Sequence, residues 1–184
     1  MVLVFYDLET TGFSREHNDV IEIAAAAWDS KTDTIIDTFS TYIKPTTRIP
    51  DVIEKLTGIT NLKVRNCPGY WDAAPTFFAW LTQVGCEKLA GYNNATFDSQ
   101  FVVAQNKRYK LDFNWQQYEQ IDILKIVRKL KKEGCPLLAS TKDVKQTTIA
   151  AALGIEYGAH DAIEDVRALI EIYKIIRKHD PTLI

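Results

Sequence analysis

Two hydrophobic periods organise the chain. Val2-Leu3-Val4-Phe5-Tyr6 is an apolar, β-rich run ending in two acids, Asp7 and Glu9. Val20 to Trp28 and Thr34 to Ile43 read as two more strands joined by the turn Asp29-Ser30-Lys31-Thr32-Asp33. With the first run they predict an antiparallel sheet of three. Later segments alternate between periods: a helix over about 71–84, a strand over 88–91, a helix from about 95 to 106, a basic helix from about 118, a short helix near 148–153 and a long final helix. Gly134-Cys135-Pro136 ends the basic helix, and the stretch from there to Lys145 reads as a loop. Helices packed on a mixed sheet define an α/β fold. A chain of 184 residues, 46% of them hydrophobic, can bury one sizeable core, so a single domain over 1–184 is expected.

Several acids sit where this pattern calls for apolar or inward-facing residues. On a strand, Asp7 and Glu9 share a face, roughly 6–7 Å apart along the chain. Asp98 falls in the first turn of a helix, where the dipole favours a carboxylate, and its neighbours three and four residues on are Phe101 and Val102. It should therefore face inward. Asp165 lies on the stripe Leu169, Ile172 and Ile176, whereas Glu164 aligns with Arg167, Glu171, Lys174 and Lys178 on the solvated face. An ionised carboxylate on a buried stripe is costly unless paired, and a divalent cation is a partner that four such acids can share. His160 would stand about 140° round from Asp165 on a continuous helix, so the glycine-led loop at Gly158 is the better place for it. Each feature taken singly also suits an ordinary strand end, helix N-terminus or surface histidine; His17 and His179 read as surface.

In order, Asp7-Leu8-Glu9-Thr10-Thr11-Gly12, Asn94-Ala95-Thr96-Phe97-Asp98 and His160 followed five residues later by Asp165 resemble the three exonuclease motifs of the DEDD family, histidine branch. Proofreading subunits of replicative polymerases, ribonuclease T and oligoribonuclease belong to it. The resemblance spans residues 2 to about 178 and implies a ribonuclease H-like fold: a mixed five-stranded sheet with helices on both faces. It implies removal of nucleotides from 3′ ends by two Mg²⁺ or Mn²⁺ ions held by Asp7, Glu9, Asp98 and Asp165, with His160 as general base. It further implies that Thr10 or Thr11, Phe13 and Asn94 meet the terminal nucleotide and that Leu56 wedges against its base. Phosphodiester hydrolysis independently needs a hydroxide near neutral pH, charge neutralisation at phosphorus and help for the leaving oxygen, which a pair of cations supplies. All-oxygen ligands suit Mg²⁺ or Mn²⁺ over zinc. The chain departs from the family pattern at Asn93, where many relatives carry histidine, and at Thr57, where some do. Neither position belongs to the metal set.

A net charge of −2 argues against a broad nucleic-acid-binding face. The distribution is uneven, however: between Gln105 and Lys145 there are ten Lys or Arg residues against five acids, and Lys125, Arg128 and Lys132 fall at helical spacing. That row suits either a short track for phosphates or a solvated helix face. Cys67, Cys86 and Cys135 are odd in number and widely spaced, so free thiols in a reducing, cytoplasmic setting are expected. Nothing in the pattern suggests a membrane span or an export signal. Single-stranded or frayed DNA 3′ ends are the expected substrate, with a DNA polymerase as a possible partner. Trimming of RNA 3′ ends, or nucleic-acid binding without turnover, are the alternatives. The spacing leaves the oligomeric state open.

Overall fold

The computed structural model describes residues 1–156 and 161–181. Its centre is β1 (Val2–Thr10), which pairs antiparallel with β2 (Val20–Asp29) on one side and parallel with β4 (Lys88–Gly91) on the other. β3 (Thr34–Tyr42) extends the antiparallel half and β5 (Glu119–Asp122) the parallel half, giving the order β3-β2-β1-β4-β5. The mixed five-stranded sheet is the one expected. β1 and β2 are nearly continuous apolar runs because both of their faces are covered. Ala24 to Ala27 are fully buried, and these short side chains let helices approach both faces.

On one face, α5 (Ile123–Lys132), α6 (Gln146–Ala152) and α7 (Ala162–His179) pack on Leu3, Phe5 and Trp28 through Val127, Ile149, Leu169 and Tyr173. On the other, α3 (Tyr70–Gln83) and α4 (Asp98–Tyr109) pack on Val4, Tyr6 and Leu8 through Phe77, Leu81 and Phe101. Trp80 and Trp115 belong to this core, whereas Trp71 is exposed. The stripe Leu169, Ile172 and Ile176 on α7 is buried as its spacing predicts. Among the described residues no helix is long and apolar enough to cross a membrane, and the three cysteines are free thiols.

The structure corrects the expectation at three places. A helix was expected from about Tyr118, but Glu119–Asp122 is strand β5, and the helix starts only at Ile123, capped by Asp122, whose Oδ1 accepts from the Lys125 amide at 3.4 Å. Four residues are too few to display a period; pairing with β4 decides their state. Between β3 and α3 lie two short helices, α1 (Asp51–Thr57) and α2 (Asn61–Val64), whose pattern is too brief to read. Finally, α4 begins at Asp98 and not near Ala95, because Asn93 turns left-handed at φ 69° and residues up to Phe97 form a turn.

That turn needs room. A Cβ on Gly91 would lie 2.5 Å from Asn94 Cβ and 3.2 Å from the Tyr6 carbonyl oxygen. Gly91→Ala is therefore expected to cost roughly 1–3 kcal/mol, the usual penalty of overpacking. A thermal midpoint within a degree of wild type would contradict this packing.

Candidate active site

Three element ends converge at the carboxyl end of β1. Asp7 and Glu9 lie on one face of that strand, and the register sets Asp7 opposite Ala24 and Glu9 opposite Glu22. Residues directly opposite on an antiparallel pair share a face, so Glu22 joins the acids although the motifs did not include it. Asp98 is 3% exposed at the start of α4, and its Oδ1 accepts from the Leu8 amide at 3.2 Å, tying α4 to β1 between the two acids. Asp165 sits in the first turn of α7, where Gln146 Nε2 donates to its carbonyl at 2.8 Å and pins the helix start. His160 lies outside the described residues.

The electrostatics bind these groups into one site. Burial pushes the Asp7 carboxyl well above the usual range, and Asp98, Glu9, Asp165 and Glu22 push it further. Glu9 rises to about 7 through burial, then Glu22, Asp165 and Asp98. Asp98 also rises to about 7 through burial, opposed by its own and the Leu8 backbone N–H groups and reinforced by Asp122. No lysine or arginine is among the causes for these three acids. Glu22 is raised by burial and eased by Lys63 and by hydrogen bonds from Tyr42 and Ser40.

Such a set consists of hard oxygen donors, which fits a hard divalent cation. As they stand, no three acid, histidine or cysteine side chains among the described residues are gathered into a closed cage. Mg²⁺ is ordinarily held by one or two carboxylates together with water and substrate phosphate, so a preformed cage is not required of a nuclease site.

The residues expected to meet substrate divide into two groups. Phe13 is 83% exposed on the loop after β1, its ring edge-on to Phe97 at 6.3 Å, and Leu56 is 53% exposed on α1. Both are available to a nucleotide. Thr10, Thr11 and Asn94 are buried and brace the scaffold. Thr10 donates to the Gly12 carbonyl at 2.7 Å, and the Thr11 hydroxyl accepts from the Asp19 amide at 2.9 Å. Asn94 donates its amide to Gln120 at 2.9 Å. These bonds shape the loops that carry Glu9 and Asp98.

Sequence reasoning missed Glu22 and Asp122. Glu22 was readable as the one acid inside the apolar run from Val20 to Trp28. Asp122, at the end of β5, gave no such sign because its strand was not recognised; it accepts from the Asn93 amide at 3.1 Å and so fixes the turn before Asp98.

Comparison with known proteins agrees with the fold. Residues 4–173 match the RNase T family model, described as exonuclease. A PolC-type DNA polymerase III from Caldanaerobacter subterraneus is 31% identical over 95% of this chain and 12% of its own length. The DNA polymerase III subunit epsilon of Aquifex aeolicus is 31% identical over 92% of this chain and 77% of its own. A solved structure of exonuclease I superposes with a TM-score of 0.85 at 25% identity, covering 99% of this chain and 42% of that one. The chain thus spans about an eighth of the PolC-type relative and under half of exonuclease I.

Proposed function

Because the chain belongs to the RNase T family of exonucleases, we propose that it hydrolyses DNA from free 3′ ends, single-stranded or frayed, and releases nucleoside 5′-monophosphates. The observation that carries this reading is the gathering of Asp7, Glu9, Asp98 and Asp165, in which Asp98 and Asp165 both raise the proton affinity of Asp7 and of Glu9.

Two Mg²⁺ or Mn²⁺ ions held by those four carboxylates would supply a hydroxide near neutral pH, neutralise charge at phosphorus and ease departure of the 3′ oxygen. The protein's own part is positioning and proton transfer. β1 presents Asp7 and Glu9 on a rigid, fully packed strand, while the Asp98–Leu8 hydrogen bond fixes the third acid against them. Asp161 caps α7 by accepting from the Ile163 amide at 3.2 Å, which anchors the turn carrying Asp165. His160, directly before that cap, takes the proton from the attacking water as its oxygen bonds to phosphorus and the bond from phosphorus to the 3′ oxygen breaks. Phe13 offers a stacking face to the terminal base, and Leu56 bears on it from α1. The likeness to polymerase III chains extends the proposal to editing beside a polymerase, with mispaired 3′ termini degraded faster than paired ones.

The test is mononucleotide release from end-labelled DNA and RNA of matched sequence, with the 3′ end free or blocked, in Mg²⁺, Mn²⁺ or chelator. Metal-dependent laddering from free DNA 3′ ends is expected, lost in Asp165→Ala. Tight binding without degradation under either metal would overturn the reading and leave a binding module; faster loss of the RNA strand would reassign the substrate.

A further inference from the structure

We propose that the outer face of α4 carries the nucleotides upstream of the terminal one in a single DNA strand, with Arg15 and Lys107 on their phosphates. This rests on the exonuclease reading and deepens it. At the start of α4, a hollow of about 290 Å³ has Phe13, Arg15, Glu16, Thr96, Phe97 and Gln100 in its lining. Next along the helix, a second hollow of about 430 Å³ is lined by Arg15, Glu16, Ala104, Lys107 and Arg108. Arg15 and Glu16 belong to both, so the two hollows adjoin and together make the furrow proposed for the strand. Gln100, Ala104 and Lys107 recur at helical spacing on one side of α4, and Phe97 to Lys107 spans about 15 Å, room for more than the terminal nucleotide.

The charges along this furrow are unequally committed. Arg108 Nη1 is 2.7 Å from the buried Asp19 carboxylate, and its Nη2 donates to the Glu16 carbonyl. Arg108 therefore braces the loop after β1. Arg15 is exposed, and its Nη1 donates at 3.0 Å to the neutral amide oxygen of Gln100, which aims the guanidinium into the furrow without cancelling its charge. Lys107 is exposed at the far end, and Glu16 is the one acid in either lining. Aromatic faces at the start of α4, followed by an aimed guanidinium and an exposed ammonium, match a strand whose terminal base stacks and whose next phosphates need neutralising. A duplex would need a wider basic surface than this.

Binding of fluorescent dT2 and dT8 in chelator, across a salt series, tests this with the Arg15→Ala/Lys107→Ala variant. Both positions are exposed and outside the acid set, so the fold is expected to be kept. The variant should bind dT8 about tenfold more weakly than wild type, as loss of two surface charge contacts predicts. It should bind dT2 almost unchanged, and its slope of log K against log salt should fall by about 0.7 per phosphate contact removed. Unchanged dT8 affinity and slope, or equal weakening of dT2 and dT8, would overturn the track. Hydrolysis by the wild-type protein is read separately, so a failed track leaves the exonuclease reading standing, and absent hydrolysis with intact length dependence removes only that reading.

Discussion

Asp7→Asn should abolish hydrolysis while making the metal-free protein more stable. The replacement keeps size and hydrogen-bonding capacity and removes one charge. The groups that press on Asp7 after burial are all acids, Asp98, Glu9, Asp165 and Glu22, so removing its charge relieves that repulsion. A gain of about 0.5–2 kcal/mol is expected, the usual range when a strained functional site is relaxed. For a chain of this size that raises the thermal midpoint in chelator by roughly 2–4 °C per kcal/mol. Activity should fall by about a thousandfold or more, some 4 kcal/mol of transition-state stabilisation. Thermal melts in chelator beside initial rates in Mg²⁺ check both halves. An asparagine variant that melts lower than wild type, or that keeps a tenth of the activity, would mean the acids are not a repelling, cation-seeking set.

Divalent metal should stabilise the protein strongly at pH 8 and hardly at pH 5. Glu9 and Asp98 are raised to about 7 from 4.5 and 3.8, and Asp7 is raised well above 3.8. Between about pH 4 and 7 the folded state therefore binds more protons than the unfolded chain, and the metal-free protein loses stability as pH climbs through that window. Below the unfolded values both states are protonated, and the cost of repulsion vanishes. At pH 8 the acids are ionised and free to take Mg²⁺ or Mn²⁺; at pH 5 the cation must displace protons. At a metal concentration near a hundred times the dissociation constant the gain is about 2.7 kcal/mol. That corresponds to roughly 5–10 °C at pH 8. Equal shifts of the midpoint at both pH values would refute the assignment of these carboxylates as the metal-binding groups. Asp7→Asn should show little shift at either.

The site was legible wherever chemistry conflicted with periodicity. Asp7, Glu9, Asp98 and Asp165 stood out because acids occupied positions that alternation or a helical stripe reserves for buried residues, and the structure brings them into one electrostatic set. Glu22 made the same conflict inside β2, but without the register that sets it opposite Glu9 it had no partner to identify. For Thr10, Thr11 and Asn94 the motif shows that a polar residue belongs near the site without showing which way it faces. Buried, each satisfies a loop backbone or a neighbouring side chain.

Local pattern alone determined β1 to β4, helices α3, α4 and α7 to within a few residues, and the acids they carry, because strand alternation and helical stripes are written in neighbouring residues. Tertiary structure alone decided three things: that Glu119–Asp122 is a strand, that Gly91 must leave space beside the Tyr6 carbonyl, and that Arg15 from the β1 loop lies along α4 against Gln100. Each depends on a partner far away in sequence, 85 residues in the case of Arg15 and Gln100. A contact at that separation leaves no period in either segment; it exists only once the sheet order fixes which element ends meet.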